Sequence, residues 1–382
     1  MRYLDLVKAA LWGRQSEWPE AETEELLRLN AAQCTDVLVY PMVLAQEGLS
    51  DATRKQMKSV CVNAMHKQVK LQHVLEQAWR ALEKANIPAV LLKGAGLAAL
   101  YPDSQLRSWR DVDVFVGKEN YHAACAAIRE VFPETGAIKE EMEYYKHYNI
   151  HADEIPVEIH RVTMSLQHPM DKRRYERIEK YGMTHGEWQT INGLRVRVPE
   201  PTFNVLFVFL HSWEHFIEGS ANVRQMCDLA LLLHHYTKEL KPELFEQWLR
   251  QLNLLDVWQL YAYNMVYCLG LSREESLLLP EKVSAEVSER AEKMMDEMIS
   301  GEKFQELEVR RLEFRGLEVR GVEVRESEVK ESRWVRKWRT MQQRMRCAKR
   351  IKEFSPAYAR HMNWTTWLHG IGRLFAKDRK WE

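Results

Sequence analysis

Apolar and polar positions recur with a helical period over some stretches of this chain and with a period of two over others. From Asp51 to Ala85 there is neither Gly nor Pro, and Val60, Ala64, Val69, Leu71, Val74, Leu75, Ala78 and Leu82 fall at helical spacing. This predicts one long helix, capped by Asp51 or Thr53 and ended by Asn86-Ile87-Pro88. The short apolar run Ala89-Val90-Leu91-Leu92 then reads as a buried strand, broken by Gly94 and Gly96. In Asp111-Val112-Asp113-Val114-Phe115-Val116 the first half alternates, so a strand places both aspartates on one face and Val112 and Val114 on the other. Tyr121 to Phe132 reads as a helix ended by the segment from Pro133 to Gly136. Tyr144 to His151, the turn Ala152-Asp153-Glu154 and Ile155 to His160 read as two strands of a hairpin. Gln189 to Val198 reads as a second hairpin turning at Asn192-Gly193. From Pro201 onward the period is helical: Phe203 to His215, Val223 to Tyr236 and Glu243 to Leu269. Phe203 to Leu210 is apolar all round, which predicts a buried helix.

These periods predict an α+β fold: a small mixed β-sheet core flanked by helices, followed by an α-helical domain and a basic helical tail. The expected divisions are 1–50, short helices around Trp18-Pro19 that feed Leu27, Leu29 and Val37 into a core, then 51–200, the sheet-bearing core, and 201–300, the helical domain. Residues 301–332 are a charged insert whose five-residue repeat (LEVRR, LEFRG, LEVRG, VEVRE, SEVKE) matches neither structural period, so no face collects its apolar residues. The tail, 333–382, is rich in Lys and Arg, with Trp334, Trp338, Met341 and Met345, then Trp364, Trp367, Leu368, Ile371, Leu374 and Phe375, at helical spacing. Two basic amphipathic helices split near Ser355-Pro356 are expected there, packed on the protein or contacting a membrane surface or nucleic acid.

Composition narrows the picture. Lys plus Arg and Asp plus Glu are both 55 in 382 residues, so the overall balance calls for no polyanion partner. Six cysteines are scattered without metal spacing, which favours reduced thiols. The N-terminal MRYLDLVKAALWGRQSEW lacks the apolar core of a signal peptide, and no run approaches the ~20 apolar residues of a membrane span. A cytoplasmic protein without a transmembrane segment is expected.

The chemistry concentrates in a few residues. Asp111 and Asp113 on one strand face repel unless a cation sits between them, and Glu158, with Val157 and Ile159 facing the other way, can complete a triad. Such a triad suits metal-assisted phosphoryl or nucleotidyl transfer. Lys93, between a strand and a helix start, can meet an anion with the turn amides of Gly94 and Gly96. Arg107 can hold a triphosphate bidentately or pair with Asp111 or Asp113. His160 shares the Glu158 face as a substrate contact, a supporting group or a strand-end histidine. Arg224 and Asp228, four apart on one helix, form a local ion pair or reach substrate. His211, Glu214 and His215 read as His-x-x-Glu-His, a zinc-hydrolase pattern as a remote alternative, or as residues lining the cleft between sheet and helices.

Leu92-Lys93-Gly94, Tyr101-Pro102, Leu106-Arg107, Asp111-Val112-Asp113-Val114 and Val157-Glu158-Ile159-His160 together resemble the nucleotidyltransferase superfamily of DNA polymerase β-like fold, and within it a family of uncharacterised nucleotidyltransferases. The resemblance covers roughly residues 55 to 235 and extends into Arg224 and Asp228-Leu229-Ala230-Leu231-Leu232. It implies Mg²⁺- (or Mn²⁺-) dependent transfer of a nucleoside monophosphate from an NTP to an unidentified acceptor, small molecule or macromolecule. Asp111, Asp113 and Glu158 would act as catalytic metal ligands, and Lys93, Gly94, Gly96 and Arg107 at the nucleotide. The superfamily's usual Gly-Ser or Gly-Gly is replaced here by Lys93-Gly94-Ala95-Gly96, so Lys93 and turn amides take the place of a serine hydroxyl. That departure favours the alternative of a catalytically inactive, nucleotidyltransferase-fold binding or regulatory protein.

Overall fold

The computed structural model describes residues 2–133, 146–166, 169–300 and 345–361. Three helices, α1 (Arg2–Leu11), α2 (Thr23–Gln33) and α3 (Asp36–Leu44), precede the long α4 (Asp51–Lys84). Its cap is Ser50, whose hydroxyl accepts from the Thr53 amide at 3.2 Å, rather than Asp51 or Thr53. Ser50 is the extended residue just before the first turn, where a side-chain oxygen reaches an unpaired N–H. Then come β1 (Val90–Leu92), the short α5 (Gly94–Ala98), β2 (Val112–Phe115) and α6 (Gly117–Val131). The hairpin β3 (His147–Ala152) and β4 (Ile155–His160) follows, with α7 (Pro169–Thr184) and the hairpin β5 (Glu187–Ile191) and β6 (Leu194–Val198).

The helical half contains α8 (Pro201–Glu218), α9 (Val223–Tyr236), α10 (Pro242–Leu252), α11 (Leu255–Tyr267) and α12 (Ala285–Ser300). The expected single helix from Glu243 to Leu269 is two. Asn253 takes the left-handed conformation (φ 56°) that ends α10, as Asn tolerates better than most residues. Residues 345–354 (α13) and Pro356–His361 (α14) are helical and meet at Ser355. Phe354 is fully buried and packs edge-on to Phe216 of α8, at 5.0 Å between ring centroids. The repeat at 307–331 and the tail tryptophans lie outside the described residues. No helix among the described residues is long and apolar enough to cross a membrane.

The main sheet has the order β1-β2-β4-β3, with β2 and β4 parallel and both outer pairs antiparallel. Alternation gives this sheet two faces. Val112, Val114, Val157 and Ile159 pack with Leu75, Trp79 and Leu82 of α4 and with Ala124 and Ile128 of α6 in one core. The β5–β6 hairpin turns at Asn192 and Gly193, both at positive φ, and adds Ile191, Val196 and Val198 to that core. On β1, Val90 and Leu92 join a second, larger core made with α1–α3 and α8–α12, while Leu91 belongs to the first. The polar face of β2 and β4 therefore looks toward the helical half, and the candidate site occupies that seam.

Candidate metal centre

Strand pairing builds the site. In the parallel register Asp113 stands directly opposite Glu158, and Asp111 lies just ahead of β2. Ligand oxygens of Asp111, Asp113 and Glu158 all lie within 4.8 Å of one another. In the antiparallel register of the β3–β4 hairpin, His147 stands opposite His160, and the two rings are 4.8 Å apart. His147, Glu158 and His160 form a second group whose ligand atoms also lie within 4.8 Å of one another. Glu158 belongs to both.

The charges are arranged around Asp113, whose side chain is 1% exposed. Lys93 Nζ lies 3.0 Å from its Oδ1, and His160 Nε2 donates to the same oxygen at 2.9 Å. Burial alone would raise the Asp113 pKa; the Lys93 ammonium and the His160 hydrogen bond outweigh it and hold the carboxyl well below its ordinary range. The other oxygen, Oδ2, is buried without a hydrogen-bond partner among the described residues. Asp111 shifts the opposite way, to about 6, first through burial and then through Asp113 and Glu158, against the pull of Lys93. Burial opposes the charge on Lys93, but Asp113, Asp111 and Glu158 together raise its pKa. The mutual repulsion expected of three acids is thus met in part by an ammonium.

Lys93 reaches this position through an unusual backbone. It follows β1 and precedes α5 at φ 42°, followed by Gly94 at φ 37°. A Cβ on Gly94 would meet Trp109 Cε3 at 3.3 Å, so glycine serves both conformation and space there. Gly96 sits inside α5, where a Cβ would make only an ordinary contact with Val198. A positive φ at a lysine carries a conformational cost of the kind usually found at functional sites.

Arg107, expected to hold a triphosphate or to pair with Asp111 or Asp113, makes its ion pair with a residue of the helical half. Its side chain is 4% exposed and forks onto Asp228 of α9, Nε to Oδ1 at 2.6 Å and Nη2 to Oδ2 at 2.9 Å. Nη1 donates to the Gly94 carbonyl at 3.0 Å. Tyr101 donates to Asp228 at 2.8 Å, and Arg224 adds a longer contact at 3.7 Å. Asp228 is therefore the anchor of the loop behind Lys93, a role that its i,i+4 spacing with Arg224 does not reveal. Burial works against its charge, but Arg107 holds its pKa below the ordinary value.

The helical half contributes His211, whose Nδ1 is buried without a partner among the described residues. Burial, then Lys93 and His215, keep its pKa well below the ordinary value. Glu214 pairs with Lys146 at 3.6 Å and His215 Nδ1 lies 2.7 Å from Ser220 Oγ. His211, Glu214 and His215 do not form a metal-sized group; among the described residues the only two such groups are those sharing Glu158. The zinc-hydrolase alternative lacks its ligand geometry. Sequence reasoning missed His147, although a signal for it existed. Pairing Ala152 with Ile155 across the turn fixes His147 opposite His160.

Three carboxylates that could hold a metal ion, on a mixed sheet beside a lysine and a glycine turn, suit metal-assisted chemistry on phosphate esters. Comparison with known families agrees. The chain belongs to the family described as uncharacterised nucleotidyltransferase, which it matches over residues 19–270. That span takes in α2 and α3 before the long helix and runs through α11. No curated protein and no solved structure matches the chain.

Proposed function

We propose that this protein transfers a nucleoside monophosphate from an NTP to an acceptor hydroxyl, using a divalent cation, Mg²⁺ or Mn²⁺, held by Asp111, Asp113 and Glu158. The observation that carries the reading is the convergence of these three carboxylates within 4.8 Å, with a buried Asp113 oxygen left unpartnered. An all-oxygen donor set of this kind fits a hard divalent cation. When bound, the cation would neutralise triphosphate charge and favour the ionised acceptor oxygen.

The chain's own residues have distinct tasks in this reading. Lys93, already at the carboxylates, turns its ammonium to the phosphates. Glu158, at 16% exposure the more open of the paired acids, takes the acceptor proton. The acceptor oxygen bonds to the α-phosphorus as the bond to the β-phosphate oxygen breaks, and pyrophosphate leaves. Arg107 acts indirectly, holding the Gly94 carbonyl and so the loop that carries Lys93.

A second reading, a family member that binds without turnover, is favoured by the Lys93 ammonium, which already neutralises Asp113 in the cation's place. Incubation with each α-labelled NTP, Mg²⁺ or Mn²⁺ and cell extract separates the two. The proposal expects a labelled product that Asp113→Asn abolishes, with the variant still folded by circular dichroism. Nucleotide binding without any labelled product supports the second reading.

A further inference from the structure

Glu158 faces two ways. Its Oε2 lies 3.4 Å from His160 Nε2 and 3.5 Å from His147 Nε2. Both separations exceed the range of about 2.7–3.2 Å in which an N–H donates well to oxygen. They match the spacing of two ligands on one tetrahedral ion, about 3.3–3.6 Å for bonds of about 2.0–2.2 Å. The three atoms come from adjacent strands, with His147 opposite His160 and Glu158 two residues before it, so sheet pairing fixes their relative positions.

The adjoining carboxylate triad, which shares Glu158, has an unpartnered oxygen of its own. Asp113, opposite Glu158 across the β2–β4 pair, keeps its buried Oδ2 without a hydrogen-bond partner among the described residues. That oxygen would find in a cation the compensation that burial denies it. His147, with a side chain 32% exposed, leaves a route in from solvent, whereas His160 is 1% exposed and its Nδ1 is buried without a hydrogen-bond partner among the described residues.

We propose that His147, His160 and Glu158 form an imidazole-rich subsite that binds a divalent transition-metal ion of the Zn²⁺ and Co²⁺ type in preference to Mg²⁺. Two imidazoles and one carboxylate suit such ions, whereas Mg²⁺ favours oxygen donors alone. His160 binds through Nε2 in the tautomer that carries its proton on Nδ1, giving up its hydrogen bond to Asp113. The subsite adjoins the carboxylate triad through the shared Glu158, and it is occupied without nucleotide. It rests on the nucleotidyl-transfer reading for neither its ligands nor its test.

The test uses the full chain, stripped with chelator, titrated calorimetrically with Zn²⁺ and separately with Mg²⁺ in the absence of nucleotide. His147→Gln is expected to weaken one Zn²⁺ equivalent by about tenfold or more, as loss of one of three ligands should, and to leave Mg²⁺ affinity within about twofold. The wild-type protein loaded with Co²⁺ is expected to show two exchangeable, paramagnetically shifted imidazole N–H proton resonances. This second measurement does not depend on a variant folding. Zn²⁺ binding unchanged in a folded His147→Gln variant, or Co²⁺ spectra without imidazole resonances, would overturn the subsite. Failure here with intact label transfer leaves nucleotidyl transfer standing. A His147-dependent Zn²⁺ site without transfer leaves the subsite standing.

Discussion

Replacing Arg107 separates a residue that touches nucleotide from one that holds the loop. Its guanidinium makes three hydrogen bonds, two to Asp228 and one to the Gly94 carbonyl, and both partners of the ion pair are nearly sealed, at 4% and 2% exposure. Arg107→Gln leaves the Asp228 carboxylate buried with only Tyr101 and the more distant Arg224 to compensate it. Removing one member of a buried pair costs about 3–5 kcal/mol, because the remaining charge loses its partner. Asp228→Asn should cost a similar amount for the mirror-image reason. The double variant should be less destabilised than the sum of the singles, by about 1–3 kcal/mol of coupling. Urea unfolding of the four proteins, followed by circular dichroism, gives these differences directly. Nucleotide affinity of the folded Arg107→Gln protein should fall only as far as Lys93 is displaced. Unchanged stability combined with a large loss of NTP affinity would refute the anchoring role and return Arg107 to the phosphates.

Two further predictions concern the acids and their ammonium. Asp111 has a folded pKa raised to about 6, above its ordinary 3.8, so its contribution favours the folded state at low pH and is lost as pH rises through 6. Metal-free Asp111→Asn should therefore be more stable than wild type at pH 8, with the difference shrinking as pH falls toward 4; a difference independent of pH would contradict this. Lys93→Ala should weaken NTP binding about tenfold or more, since a charge-assisted hydrogen bond contributes about 1.5–3 kcal/mol. Unchanged nucleotide affinity by calorimetry would leave Lys93 only its pairing with Asp113.

The parts of the site that sequence made legible depend on local periods. Alternation put Asp111 and Asp113 on one face and Glu158 and His160 on another, and strand pairing then brought those faces together. Asn192-Gly193 marked its hairpin because both residues tolerate positive φ. What escaped depends on partners distant in sequence. Arg107 and Asp228 are 121 residues apart, and neither carries a local sign of the other. Three acids alone suggest mutual repulsion; only the fold places Lys93 Nζ 3.0 Å from Asp113 and makes the latter the one whose charge is supported. Neutralising Asp111 relieves strain, whereas neutralising Asp113 strips Lys93 of its partner. The break at Asn253 carries a milder signal, an asparagine in place of Gly or Pro, and the helical period on either side of it hides the end.

The fork from Arg107 to Asp228 also bears on how the protein can be divided. A fragment spanning 51–200 would contain every carboxylate of the site, yet it would carry an arginine stripped of its counterion. It would also leave Val90, Leu92, Leu97 and Tyr101 without the helices that cover them. The sheet does not close its own core, because helices of the second half cover one face of β1. Any chimera that exchanges the helical half between relatives must preserve an acid at position 228, because the loop bearing Lys93 is moored there.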